Sequence, residues 1–210
     1  MKRIALLAIG GIIGWAVAPK PKAKRALPEP LPLASRFRSA VITLTVAKAA
    51  YDVWWTYIGK GTRDLEAMNE FPTFFTYDQE ANFRAMIVSV HTLFDDTPGT
   101  LTVKSLIHAL PHDAAKPIWR KYHPLKTTAR KVGILRHNWI AHRNAAKPDK
   151  TIFAEAGLRP DDMGALIEGT HEVLHLIAPH IGASEPTLSP FVRDETLGLF
   201  SRSKRNRRSV

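Results

Sequence analysis

Arg136-His137-Asn138-Trp139-Ile140-Ala141-His142, followed by Arg143-Asn144, is the stretch on which the reading of this chain turns. It lies in a region that holds nine lysines and arginines between Asp113 and Asp149 and no acid among them. Pro124 is expected to open a helix here, with Lys126–Ala141 as its body and Pro148 and Asp149 in the loop that follows. Arginine and histidine in an acid-free setting suit phosphodiester chemistry. A histidine near neutral pKa can take the proton of an RNA 2′-hydroxyl or protonate the leaving 5′-oxygen. An arginine neutralises the charge that builds on the phosphorane oxygens. On an ideal helix, residues four apart lie about 40° from each other and residues six apart about 120°. Asn138 and His142 therefore share a face with Leu135, while Arg136 lies off that face, near Arg143. One helix would not aim Arg136 and His142 at one atom, but two copies across a symmetric interface could. A helix with one packed face and a few wet polar residues would show the same spacing.

Helical signals extend to both sides. Arg36–Ile58 reads as a long helix with apolar residues at Val41, Leu44, Ala47, Tyr51, Trp54 and Trp55, stopped by Gly59 and Gly61. The run Val41–Val46 has strand-like composition, but its length and flanks favour helix. Glu80–Phe94 reads as a second helix, with Phe83, Ile87, Val90 and Phe94 on one stripe. Asp95-Asp96-Thr97-Pro98-Gly99 is a turn, and Thr102–Leu110 a short helix ended by Pro111. Pro160, Asp161 and Asp162 suit a helix amino end. That last helix runs through Met163, Leu166, Ile167, Val173, Leu174 and Ile177 to Pro179. Without alternating strands or an internal repeat, the expected fold is an all-α antiparallel helical bundle with flexible basic tails.

The chain has 210 residues, enough for one domain with a core, and no cysteine, which excludes disulfides and thiolate metal sites. Its net charge of +11 is carried by the ends. Residues 1–38 hold eight Lys/Arg and one acid, and residues 202–208 hold five and none, leaving seventeen basic and eighteen acidic residues in the body. Such ends attract polyanions without sequence preference. The expected organisation is an apolar segment at 1–18, a Pro/Lys-rich linker at 19–36, a helical domain at 37–182 and a basic tail at 183–210. The apolar run Ile4–Ala18 admits three readings: a membrane anchor, a signal peptide or an upstream extension.

A second motif competes with the first. His171-Glu172-Val173-Leu174-His175 has the spacing in which two histidines one turn apart bind zinc and the glutamate acts as general base. A zinc hydrolase needs a third ligand. His180 falls one position from where the extended pattern wants it, and Glu195 lies in a Pro-interrupted tail. An amphipathic last helix with His171 and His175 partly exposed also fits. His108, His112 and His123 show no ligand spacing and read as surface residues. Lys60-Gly61-Thr62 lacks the strand and glycine of a phosphate loop.

Leu135–Arg143 resembles the HEPN superfamily, marked by an arginine, a polar residue after it and a histidine four to six residues on. Arg136, His137 and His142 take those places. The likeness is closest to the abortive-infection, AbiU-like branch. There the surroundings are similar to Leu93-Phe94-Asp95 and to Ile152-Phe153-Ala154-Glu155-Ala156-Gly157-Leu158, and the likeness spans about residues 40–180. The resemblance implies a helical bundle that forms a homodimer with both motifs in one cleft. It implies a metal-independent endoribonuclease without cofactor, acting on RNA in phage defence or as a toxin, with an antitoxin or other regulatory protein as partner. Arg136 would stabilise the transition state and His142 would act as acid and base. His137, Asn138 and Arg143 would support them or bind RNA, and Trp139 and Ile140 would be core or interface residues. The location would be cytoplasmic, or membrane-associated through residues 4–18. A non-catalytic HEPN module that binds RNA or protein shares all these features, and the zinc hydrolase built on His171, Glu172 and His175 is the third reading.

Overall fold

The computed structural model describes residues 31–58, 65–141 and 147–188, with residues 192, 194–196 and 198 beyond them. All regular structure among the described residues is helical: α1 Leu33–Ile58, α2 Leu65–Glu70, α3 Pro72–Phe94, α4 Val103–Ile107, α5 His112–Leu135, α6 Asp149–Ala156 and α7 Pro160–Ile177. A π-helical segment, Arg136–Ala141, continues α5, and a 3₁₀ turn, Ala178–Ile181, closes α7.

Side-chain contacts fix the directions of the long helices. Trp54 meets Phe83, and Tyr57 bonds Asp78, so α1 and α3 run antiparallel. Lys121 pairs with Glu172 and Lys131 with Asp162, which makes α5 and α7 antiparallel. Phe83 lies against Trp139 and His91 against His137, so α3 and the α5 rod are antiparallel as well. The core takes one stripe from each: Phe37, Ala40, Leu44 and Ala47 of α1, Met86, Ile87, Val90 and Leu93 of α3, and Ile118, Tyr122, Val132 and Leu135 of α5. From α7 it takes Met163, Leu166, Ile167, Val173, Leu174 and Ile177. These recur at three and four residues, the period of one helix face.

Two glycines let α7 approach its neighbours. A Cβ at Gly169 would stand 2.6 Å from Leu125 Cδ2, and one at Gly164 would stand 2.7 Å from the Tyr51 hydroxyl. At the other end of α1, the Arg36 guanidinium donates to the Ser105 carbonyl and hydroxyl at 3.2 and 2.9 Å, tying α1 to α4.

Several boundaries differ from the sequence reading. α1 begins at Leu33 rather than Arg36, and α3 begins at Pro72 rather than Glu80. Pro72 sits where the missing N–H costs nothing. Pro124 does not open α5, which starts at His112 and carries both Pro117 and Pro124 inside it. Both prolines are exposed, as are Asp113 and Arg120, whose carbonyls lose their helical donors. On this solvent-exposed face, water can take the place of the absent N–H, which lowers the ordinary penalty of an interior proline. Thr102 caps α4, its hydroxyl accepting from the Ser105 N–H at 3.1 Å. The stretch Ile152–Ala156 lies in a helix of its own, α6, ended by Gly157 at φ 54°. Within the strand-like run of α1, Ile42 and Val46 are helical and face solvent. The segments 1–30, 59–64 and 199–210 lie outside the described residues, so the expectations for the apolar segment, most of the linker and the basic end fall there.

Candidate functional site

The motif begins where α5 changes its winding. From Arg136 to Ala141 the chain is π-helical, each turn taking in one more residue than an α-turn. The angles of an ideal α-helix therefore do not describe this segment. Asn138 supports the widened turn by donating its side-chain amide to the Ile134 carbonyl at 3.1 Å.

Trp139 anchors the segment on one side. Its ring meets Phe83 at 5.5 Å and Phe153 at 5.3 Å, both edge to face, and the Arg84 guanidinium carbon lies 4.5 Å from its centroid. Trp139 and Ile140 both pack against the core. This aromatic group borders an apolar cavity of about 480 Å³ shared with Trp54 and Met163.

On the other side His137 and Asn138 border a polar groove of about 610 Å³ between α3 and α5. His91 of α3 faces His137 across it, with ring centroids 5.1 Å apart and planes at 89°. Burial lowers the His91 pKa below the ordinary histidine value, and His137 and Arg136 add to this while Asp95 opposes it. Asp95 accepts the Thr97 hydroxyl at 2.7 Å and the Thr97 N–H at 2.9 Å, bonds that hold its carboxyl below the usual range. Asp96 is paired with Lys104 at 2.8 Å, and its carboxyl is held down first by Lys104, with Lys126 adding to it. Tyr122 in the groove wall is pushed up to about 12, by burial and then by Asp96. Arg136 is half-buried and forms no ion pair among the described residues.

Arg136, His137 and Asn138 thus share one widened turn, with His137 and Asn138 on the groove. His142 and Arg143, the expected acid–base residue and its neighbour, lie outside the described residues. The expectation that Asn138 supports His142 falls on a residue outside the described ones. Sequence reasoning missed His91. Its signal was its place four residues before Asp95, the residue that follows α3.

The zinc motif has other occupations. His171 Nε2 lies 2.8 Å from the Pro186 carbonyl, Glu172 pairs with Lys121, and His175 faces Glu185 at 3.8 Å. With Nε2 donating to that carbonyl, only Nδ1 of His171 keeps a lone pair. No group of three or more His, Cys, Asp or Glu side chains among the described residues is placed to hold a metal ion. His108, His112 and His123 are exposed, as expected. No helix among the described residues is long and apolar enough to cross a membrane; residues 4–18 are not among them.

Comparison with known proteins places this arrangement. The family model HEPN_AbiU2 (AbiU2) matches residues 35–200, a span that contains every helix from α3 to α7, both walls of the groove and the motif. No curated protein and no solved structure matches the chain. With the match covering most of the chain and an all-α bundle around the Arg136 motif, the chain belongs to the AbiU2 family of HEPN proteins, a family of abortive infection.

Proposed function

We propose that this protein is a metal-independent endoribonuclease that acts within abortive infection by cutting RNA. The observation that carries the reading is the placement of Arg136, His137 and Asn138 on one widened turn beside a polar groove, within a stretch of sequence free of acids. In this reading His142 takes the 2′-hydroxyl proton and the 2′-oxygen attacks phosphorus. The bond to the 5′-oxygen breaks, and that oxygen is protonated as it leaves. Arg136 holds the developing charge on the phosphorane oxygens. His137, Asn138 and Arg143 position the strand, and two copies of the chain supply the two proton-transfer groups from one cleft.

The test uses the full chain, incubated with total cellular RNA in EDTA beside an Arg136→Ala/His142→Ala variant. Fragments ending in 2′,3′-cyclic phosphate from the unaltered protein alone support the reading. Intact RNA with both proteins, or equal cleavage by both, removes it.

A further inference from the structure

The groove between α3 and α5 is lined by two cations, Lys126 and Arg130, that the motif does not use. Lys126, Arg130, Gly133 and His137 succeed one another at intervals of four, three and four residues. They therefore form one stripe along α5 and into its continuation, and all four line the groove. Arg130 is exposed and Lys126 half-buried. Neither makes a hydrogen bond or an ion pair among the described residues.

Asp95 and Asp96 also line the groove; Asp96 pairs with Lys104, and Asp95 accepts the Thr97 hydroxyl and N–H. Opposite the stripe, the His91 ring lies over Gly133, where a Cβ would stand 3.7 Å from it. The absence of a side chain there leaves backbone as the floor of the groove. Arg130 and Lys126 precede Arg136 by six and ten residues, so they stand about 9 and 15 Å from it along the helix axis at 1.5 Å per residue. That offset sets the two cations along the groove from Arg136 rather than beside it.

We infer that this groove is an anchor subsite for a neighbouring phosphodiester of a single-stranded RNA, with Lys126 and Arg130 as its phosphate ligands and His91 and His137 against the sugar–base side of the strand. The inference rests on the proposed RNA-cutting reading for its choice of polyanion. The groove's own chemistry is recognition of phosphate oxygens by two cations that no carboxylate hydrogen-bonds among the described residues. Imidazole faces stack on bases without sequence preference.

The test is binding of a fluorescent, fully 2′-O-methylated single-stranded oligonucleotide, which cannot be cut, measured by anisotropy from 0.05 to 0.3 M salt. Each phosphate contact to a single strand contributes roughly 0.7 to the slope of log K against log salt. Lys126→Gln/Arg130→Gln is expected to lower that slope by about 1.4 and weaken binding about tenfold at 0.15 M salt. Lys116→Gln/Arg120→Gln removes two exposed charges of the same helix outside the groove and is the control. A loss with the groove variant and little change with the control supports the subsite. Equal losses mean unspecific attraction to a basic helix and overturn it, as does unchanged binding by a groove variant of native circular dichroism. Displacement of the oligonucleotide by an equal concentration of inorganic phosphate would make this a site for an isolated phosphate and overturn the strand reading. The two readings fail separately. Binding through the groove without cleavage of unmodified RNA removes the nuclease and keeps the subsite. Cleavage with groove variants that bind normally does the reverse.

Discussion

Removing the Trp139 side chain should release the motif from the bundle, and the structure sets the size of the effect. Trp139 makes two edge-to-face pairs, with Phe83 at 5.5 Å and Phe153 at 5.3 Å. Such pairs contribute about 0.5–1.5 kcal/mol each. The Arg84 guanidinium, 4.5 Å from the ring centroid, adds about 0.5–1 kcal/mol at a partly exposed site. The indole N–H donates to Asp149 at 3.3 Å, long and exposed enough to add little. Trp139→Ala should therefore cost about 2–4 kcal/mol, below the upper end for a fully buried tryptophan. Urea unfolding followed by far-ultraviolet circular dichroism reads this directly. With a slope of about 2 kcal/mol/M, the midpoint should fall by about 1–2 M. An Arg84→Met/Trp139→Leu double-mutant cycle should return a coupling of about 0.5–1 kcal/mol. It isolates the cation–π contact from the loss of the Arg84–Glu80 pair, since both arms share that loss. A midpoint shift worth less than about 0.5 kcal/mol, the scale of an ordinary surface change, would refute the anchoring role.

Gly169→Ala should destabilise by about 1–3 kcal/mol, because the new methyl would meet Leu125 Cδ2 at 2.6 Å, and a second change, Leu125→Ala, should recover part of the loss in the same urea assay. His91 has a folded pKa below its unfolded value, so the unfolded chain binds more protons as pH falls through the ordinary histidine range. Stability should drop between about pH 7 and pH 5, and His91→Gln should flatten that part of the curve; a slope unchanged by the substitution would assign it to other histidines. Asp162 accepts the Arg159 guanidinium and N–H, which pull its carboxyl down to about 2. Asp162→Asn should lower the melting temperature at neutral pH, and the gap between the two proteins should close as pH falls through the carboxylate range toward that value; a gap independent of pH would show that the charge is not what holds the turn.

The helices legible in the sequence were those whose apolar period and end signals agreed. α7 carries Pro160, two acids and a clean stripe, and its reading matched the structure to within a residue or two. α5 was misread at its start because its two prolines are stop signals only where the freed carbonyls lack water. Solvent exposure depends on which face the rest of the bundle covers, and the helix's own sequence does not carry that. The first two turns of α3 were not legible because Phe74 and Tyr77 stay exposed there and blur the stripe. Of the site, Arg136, His137 and Asn138 were legible as a pattern because they are contiguous. His91 was not, because it lies forty-five residues from Arg136 in sequence and meets the motif only through antiparallel packing of α3 on α5. The π-helical winding left no mark in composition at all.

That winding makes chain length, rather than residue identity, the fragile property of the motif. A π-turn is an α-turn carrying one surplus residue. Losing a single codon anywhere from Arg136 to Ala141 would let α5 run on as ordinary α-helix, a gain in local regularity. Residues between the deletion and the end of the segment would each move one position, about 100° around the axis. A deletion ahead of Trp139 would take it from its place between Phe83 and Phe153, and a deletion at Arg136 would turn His137 away from His91. The segment should thus tolerate many point substitutions and almost no insertion or deletion. The nearby loop at Asp95–Thr100, whose ends are set by their own hydrogen bonds, should show the opposite tolerance.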